Sequence, residues 1–316
     1  MVQYLVRRGG QSIVLLLLVS FIGYGILHLA PGGPLSQYVM SANMAQEDID
    51  RLTRQMGLDR SLAVQYLDWL SRMLLGDWGR SYRDNIPVLT KIGSHIGPTL
   101  ELMAASTAIA ALLGGLVGSW GAIRRYSLMD MLTSVGAMVA LSIPTFWFGL
   151  MAIFFFSIRL GWLPAGNRIT IGDGSLGDVL YHMIAPVIVL ALVETAVWAQ
   201  FMRASMIETL RQDYIRTARA KGVSAVRVIW SHALRNALLP MITLFGLQFP
   251  TLLGGALVTE TVFSWPGMGR LFLDSLEYRD YPVVMGILML SAVMVMLGSL
   301  LADLLYVVAD PRIRMD

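Results

Sequence analysis

No cysteine occurs in the 316 residues, so disulfides and thiolate-held metals are excluded. Lysine is nearly absent too. The two that occur are Lys91, followed by Ile92, and Lys221, followed by Gly222, so no phosphate loop ending in Lys-Ser or Lys-Thr exists and ATP cannot be bound through a Walker motif. Neither HExxH nor GxSxG is present, which removes the simplest routes to an intramembrane metalloprotease or an elbow-type serine hydrolase. The four histidines, His28, His95, His182 and His232, sit on separate segments, and no two share metal-ligand spacing on one helix. Charge is scarce: 14% of residues are Asp, Glu, Lys or Arg, against roughly 25% in soluble domains.

What remains is apolar. Hydrophobic residues make up 56% of the chain and the mean hydropathy is +0.63. Runs near residues 12–30, 102–122, 131–158, 183–202, 238–262 and 283–309 each approach or exceed the ~20 residues that cross a hydrocarbon core. Six transmembrane helices are expected. Their continuous apolarity, without alternation in ten-residue segments, argues against an outer-membrane barrel. The first run follows Arg7 and Arg8 but is long for a signal peptide, and Pro31 stands where cleavage would fall, so an uncleaved helix is expected.

Basic residues give the orientation. Arg7 and Arg8, Arg124 and Arg125, the seven cations from Arg203 to Arg235, and Arg312 with Arg314 fall on one side if six helices alternate. By the positive-inside rule that side is the cytoplasm, and both termini are expected there. The 31–98 segment then lies outside; it carries Glu47, Asp48, Asp50, Arg51, Arg54, Asp59 and Arg60, with helical patterning over 46–56 and 62–75, and reads as a small folded cap. No basic cluster interleaves with aromatics, so the net charge of +3 reports topology rather than nucleic-acid binding.

The stretch DYIRTARAKGVSAVRVIWSHALRNALLP, beginning at Asp213, is charged and amphipathic between two apolar runs. Ile207, Leu210, Tyr214 and Ala218 keep helical spacing over 205–221. Gly222 is placed to end that helix in the left-handed conformation, and Ser224 to cap a second one. In that second helix Val226, Ile229, Trp230, Ala233, Leu234, Ala237 and Leu238 form one apolar stripe. A helix–turn–helix elbow at the membrane surface is expected. It serves either to meet anionic lipid or to dock a partner.

Glu194 lies midway along the fourth run, where a carboxylate costs about 2.5 to 3.5 kcal/mol. It must face protein or a water-filled path. Two readings stay open: a pore-lining group for a cationic or amine-bearing solute, and a hydrogen-bonded structural glutamate. Gly114, Gly115 and Gly118 allow close helix packing, Pro144 can kink the third run, and Asp303 near the end of the last can reach the interface or pair with a neighbouring cation. The twenty methionines read as adaptable filler.

The elbow resembles the coupling segment, often called the EAA loop, of ABC importer permeases, and DYIRTARAKG followed by HALRNALLP is similar to the dipeptide and oligopeptide group. Further stretches resemble family landmarks in family order: LHLAPGGP at 27–34, MGLD with QYLDWL at 56–70, GDWGRSY at 76–82, SIPTFWFG at 142–149, TETVFSWPGMGRL at 259–271, RDYPVV at 279–284 and ADPRIR at 309–314. The resemblance covers close to the whole chain. It implies an all-α membrane protein, a six-helix bundle of the type I importer permease kind with an extracytoplasmic helical cap after the first helix. The implied parts are 1–30, the first span with its cytoplasmic start; 31–98, the cap; 99–309, a five-helix core including the coupling loop at 203–237; and 310–316, a cytoplasmic tail.

By the same resemblance the chain is an inner-membrane transport subunit rather than an enzyme. It implies docking of an ATPase at Arg216, Thr217, Ala218, Arg219, Ala220, Lys221 and Gly222. Small Ala218 and Ala220 would permit close approach and the cations would meet carboxylates. The expected partners are a second homologous permease, two ATP-binding subunits, an extracytoplasmic substrate-binding protein and membrane lipid, with no nucleic acid. ATP and magnesium are expected in the partner ATPases and no cofactor in this chain. The cargo range of the wider family runs from dipeptides and oligopeptides to glutathione, nickel chelates, opines and oligosaccharides. Two departures stand out. Arg-Thr-Ala replaces Glu-Ala-Ala in the loop, and Pro-Gly-Gly-Pro at 31–34 replaces the usual Pro-Gly-Asp-Pro. A secondary transporter driven by an ion gradient is the rival reading, but it would show intramembrane carboxylates and broken helices in an internal repeat, whereas Glu194 alone sits deep in an apolar run and no repeat is evident.

Overall fold

The computed structural model describes residues 2–29, 46–55, 57–254 and 256–309. The 31–34 tetrapeptide, the tail 310–316 and most of the ADPRIR stretch lie outside them. Helices α1 (Val2–Leu29), α4 (Val88–Ile123), α7 (Leu176–Leu210) and α14 (Tyr281–Ala309) are long and apolar enough to cross a membrane. Around them run the shorter α2 (Gln46–Gln55) and α3 (Leu62–Leu74), close to the spans expected from patterning in the cap. No β-strand occurs among the described residues, where Arg80 and Pro87 form an isolated bridge.

Two expected spans are not single helices. The third is α5 (Leu128–Ser142) and α6 (Thr145–Ala152), the latter continuing as a π-helical stretch over Ile153–Arg159, and the two halves meet at 97°. The turn is sharper than the kink expected of Pro144. Proline expels its predecessor from the helical region, and Ile143 accordingly sits at φ −83°, ψ 125°. The fifth run, 238–262, is α11 (Leu239–Gly254) followed by a six-residue α12 (Leu257–Val262). At 1.5 Å per residue α11 is about 24 Å long, short of a full crossing by itself.

α12 is held by a charge that the sequence did not single out. Glu260 is fully buried; its carboxylate accepts from the Thr99 hydroxyl at 2.9 Å and from the Arg270 backbone N–H at 3.0 Å, in the first turn of α13 (Met268–Glu277). A Cβ on Gly267 would collide with that carboxylate, which is why glycine stands there. Trp265, also fully buried, donates Nε1–H to the Pro98 carbonyl at 2.8 Å and so ties this segment to α4.

The most extensive helix interface is between α4 and α7, which run in the same direction. Small residues make it close. A Cβ on Gly114 would strike the Trp198 side chain, and one on Gly118 the Ala199 carbonyl, whereas Gly115 faces open space. α14 packs on α11 and on α1, and Arg8 meets Asp303 at 3.2 Å, the second of the two alternatives open for that aspartate.

Candidate functional site

The elbow is anchored rather than laid loosely on the surface. α7 ends at Leu210, the chain turns at Arg211 and Gln212, and α8 (Asp213–Ala220) follows, so 205–221 is two helices and not one. Gly222 closes α8 at φ +76°, its N–H donating to the Arg219 carbonyl at 3.0 Å while Val223 N–H reaches the Ala218 carbonyl at 3.2 Å. Ser224 stands at the start of the second arm, yet its side chain makes no capping bond. That arm is α9 (Ala225–Arg227), a π-helical stretch Val228–Ala233 and α10 (Leu234–Ala237).

Both arms seat on one core. Ile215, Val228, Ala233 and Ala237 are buried against Trp198, Met202 and Met206 of α7 and Ala122 of α4. The Ser205 hydroxyl donates to the Ala237 carbonyl at 2.9 Å, and Asn236 Nδ2 to the Tyr214 hydroxyl at 2.8 Å. The buried stripe differs from the one the spacing suggested: Ile215 replaces Tyr214, and Val228 replaces Val226. The break at 211–212 and the wider π turn each shift the register of the inward face.

Arg216, Thr217, Arg219, Ala220, Lys221 and Gly222 are exposed on the tip. Ala218 is not; it is 9% exposed and faces the chain's own core, where its small size lets α8 sit close. Val226 and Trp230 instead stand 67% and 58% exposed on the second arm. The tip therefore presents three cations and the second arm an exposed tryptophan, and arginine and tryptophan are among the residue types enriched at protein interfaces. Trp230 was legible only as part of an apolar stripe, because helical periodicity does not register a π turn.

At the root of the elbow Arg203 of α7 grips Asp130 of α5 with two bonds, Nε to Oδ1 at 2.6 Å and Nη2 to Oδ2 at 2.9 Å. Asp130 is 3% exposed and also accepts from the Tyr126 backbone N–H at 2.9 Å. Gly121 leaves room for it, since a Cβ there would come within 3.1 Å of Oδ1. This clamp joins the ends of α4, α5 and α7. No sequence spacing announced it, as its partners lie 73 residues apart.

Glu194 is half-buried on α7, and its Oε2 accepts from the Thr107 hydroxyl of α4 at 3.0 Å. One turn on, the Trp198 indole N–H is buried without a partner among the described residues. Among the described residues no three His, Asp or Glu side chains converge on a point that could hold a metal ion.

Two family models match end to end. Residues 1–102 match the N-terminal part of binding-protein-dependent transport system membrane components, and residues 102–315 match the binding-protein-dependent transport system inner membrane component. The oligopeptide transport system permease protein AppB of Bacillus subtilis strain 168 is 42% identical, over 99% of this chain and all of its own. The dipeptide transport system permease protein DppB of Escherichia coli strain K12 is 39% identical over 99% of both chains. In fold the chain is similar to a solved amino acid ABC transporter, with a TM-score of 0.53, 20% identity, and coverage of 69% of this chain and 93% of that one. It is likewise similar to the inward-facing MetNI methionine ABC transporter, with a TM-score of 0.56, 16% identity, and coverage of 71% and 98%.

Proposed function

The chain belongs to the family of binding-protein-dependent transport system inner membrane components, and from that premise we propose that it forms half of a translocation path for peptides or chemically related small solutes. It is a multi-pass permease subunit of an ABC importer in the inner membrane and not itself an enzyme, and it works with ATPase and substrate-binding partners. This membership sets aside the gradient-driven reading. The peptide cargo rests on what the relatives named above carry.

In the proposed assembly a second, homologous permease completes the path, and two ATP-binding subunits hold the ATP and magnesium. A binding protein delivers solute from the far side. Both termini and the elbow lie in the cytoplasm, in keeping with the basic residues there. The elbow takes the ATPase: Arg216, Arg219 and Lys221 meet carboxylates on it, Trp230 enters a pocket, and Thr217, Ala220 and Gly222 allow close contact, with Ala218 acting from behind as the spacer that seats α8. ATP binding draws the ATPases together and turns the cavity outward; hydrolysis resets it. The observation that carries this reading is the exposed tip of cations backed by a core shared with α4 and α7, so that force on the tip is delivered to the two central helices.

Glu194 fits a place on the path. Its Oε2 is held by Thr107, while Oε1 accepts no bond from the described residues and would be the atom to meet a solute ammonium.

The test is affinity purification from native membranes with mass spectrometry of what remains bound. A second permease and Walker-motif ATPases are expected with the parent chain. Charge reversal at Arg219 and Lys221 is expected to lose the ATPases while keeping the second permease. Full retention of the ATPases by that variant would overturn the docking assignment.

A further inference from the structure

The cap is not uniformly aqueous. α3 has no buried residue, and Leu62, Val64, Leu67 and Leu74 on it, with Leu75 just beyond, are 41% to 88% exposed. Its other face lies against the outer half of α1: the Tyr66 hydroxyl meets the Ser20 hydroxyl at 2.9 Å, the Tyr66 ring stands edge-on to Phe21, and Trp69 packs beside Tyr24. Ser20 is nine residues from the end of α1, about 13 Å along the helix axis. α3 therefore lies alongside the apolar run of α1, and both helices carry exposed apolar side chains, Leu62, Val64, Leu67 and Leu74 on α3 and Phe21, Ile22, Ile26 and Leu29 on α1. α1 itself packs mainly on α14 and α3, at the rim of the bundle and not at its centre.

Between these elements and the 76–85 turn is a cavity of about 600 Å³. Tyr24, His28, Trp69 and Tyr281 line it together with Arg54, Arg60, Arg72 and Arg80. Of the two aspartates that line it, Asp68 is paired with Arg60 at 2.8 Å and Asp77 accepts from the Gly79 N–H at 3.0 Å, so with Arg54 also in the lining the cavity keeps an excess of positive charge. Arg80 donates to the Asn85 carbonyl at 2.9 Å and meets no carboxylate, and Arg72 has no polar partner among the described residues. Four arginines against two aspartates, a belt of Tyr and Trp, and exposed apolar side chains on the adjoining α3 and α1 match an acidic phospholipid. A transported peptide fits less well, because α1, which lines the cavity with Tyr24 and His28, packs at the rim of the bundle.

We propose that this cavity binds the headgroup of an acidic phospholipid, its phosphate held by Arg72 and Arg80 and its acyl chains laid along the exposed flank of α3 and α1. The bound lipid wedges the cap against α1 and α14, so that the cap's position depends on the membrane around it. This reading is independent of ATPase docking at the elbow and of the peptide cargo.

The test is native mass spectrometry of the intact importer, purified with its partners and loaded with phosphatidylglycerol or phosphatidylcholine. The parent is expected to retain phosphatidylglycerol in preference, and Arg72→Gln with Arg80→Gln to bind it roughly 30-fold more weakly, as two lost cations imply. Arg72→Lys with Arg80→Lys is expected to restore it. Both positions are exposed, and an unchanged melting temperature in detergent separates lost binding from lost folding. Inorganic phosphate at millimolar concentration is expected to leave the lipid in place. Its full displacement by phosphate alone would assign the cavity to the free anion, and displacement by a dipeptide to the cargo. Equal phosphatidylglycerol retention by the glutamine variant, or loss of the binding protein with lipid unchanged, would also overturn the proposal.

Discussion

Arg203 and Asp130 form a two-bond ion pair at the root of the elbow, with the aspartate at 3% exposure and the guanidinium about a third exposed. Asp130→Asn keeps the shape and removes the charge that Arg203 was placed to meet. Cutting one partner from a fully buried pair costs about 3 to 5 kcal/mol; with Arg203 partly solvated, a loss of about 2 kcal/mol is expected. Exchanging the two residues is expected to recover only part of it, because the Tyr126 N–H would then face a guanidinium instead of a carboxylate. Thermal unfolding of the single and double variants, read as a mutant cycle, checks both statements.

Glu194→Gln preserves volume and the bond from Thr107 but removes the negative charge. If Oε1 meets a solute ammonium, uptake of free peptides falls about tenfold, the scale of one lost charge-assisted hydrogen bond. Uptake of N-acetylated peptides stays level. Proteoliposome transport of matched pairs decides it: an equal fall for both, or no fall at all, would remove Glu194 from the path.

The cap is fastened by charge as well as by packing. Ser81 and the Tyr82 N–H both donate to buried Asp280, while Lys91 Nζ reaches Asp84 at 2.6 Å and Ser81 Oγ at 3.1 Å. Burial pushes the Asp84 carboxyl up, but the bonds from Lys91, Ser81 and the Ile86 N–H, with the lysine charge, outweigh it and hold the group below the usual carboxylate range. A depressed folded value means that the stabilisation is present above the unfolded pKa and disappears as pH falls through the folded one. The protection of the 81–86 amides, taken as the ratio of intrinsic to observed hydrogen-exchange rate, is therefore expected to fall on acidification below the ordinary carboxylate range. Asp84→Asn is expected to lower that protection at neutral pH and to flatten its acid dependence. The effect is modest, since Asp84 is about a third exposed.

These contacts show what the family-like landmarks are for. GDWGRSY and RDYPVV are separate words in the sequence, and the fold brings the serine of one onto the aspartate of the other across 199 residues. TETVFSWPGMGRL reads as a run of small and aromatic residues until Glu260 is seen filling the space beside Gly267. In each case the local pattern marks a position, and the partner that explains it is distant in the chain.

The sequence by itself determined the class, the long spans, the cap helices and the glycine-ended elbow. Those follow from apolar run length, helical period and the conformational freedom of glycine, all of which act over a few residues. Tertiary structure alone decided the 97° bend at Ile143 and Pro144, which of the elbow's apolar residues turn inward, the grip of Arg203 on Asp130, and the depth to which α3 descends along α1. A proline restricts its neighbour without fixing the angle, a π turn shifts a face that a 3.6-residue period would keep, and a buried carboxylate is stable only where a distant donor is delivered to it. These outcomes depend on which surfaces meet, and only the packed bundle settles that.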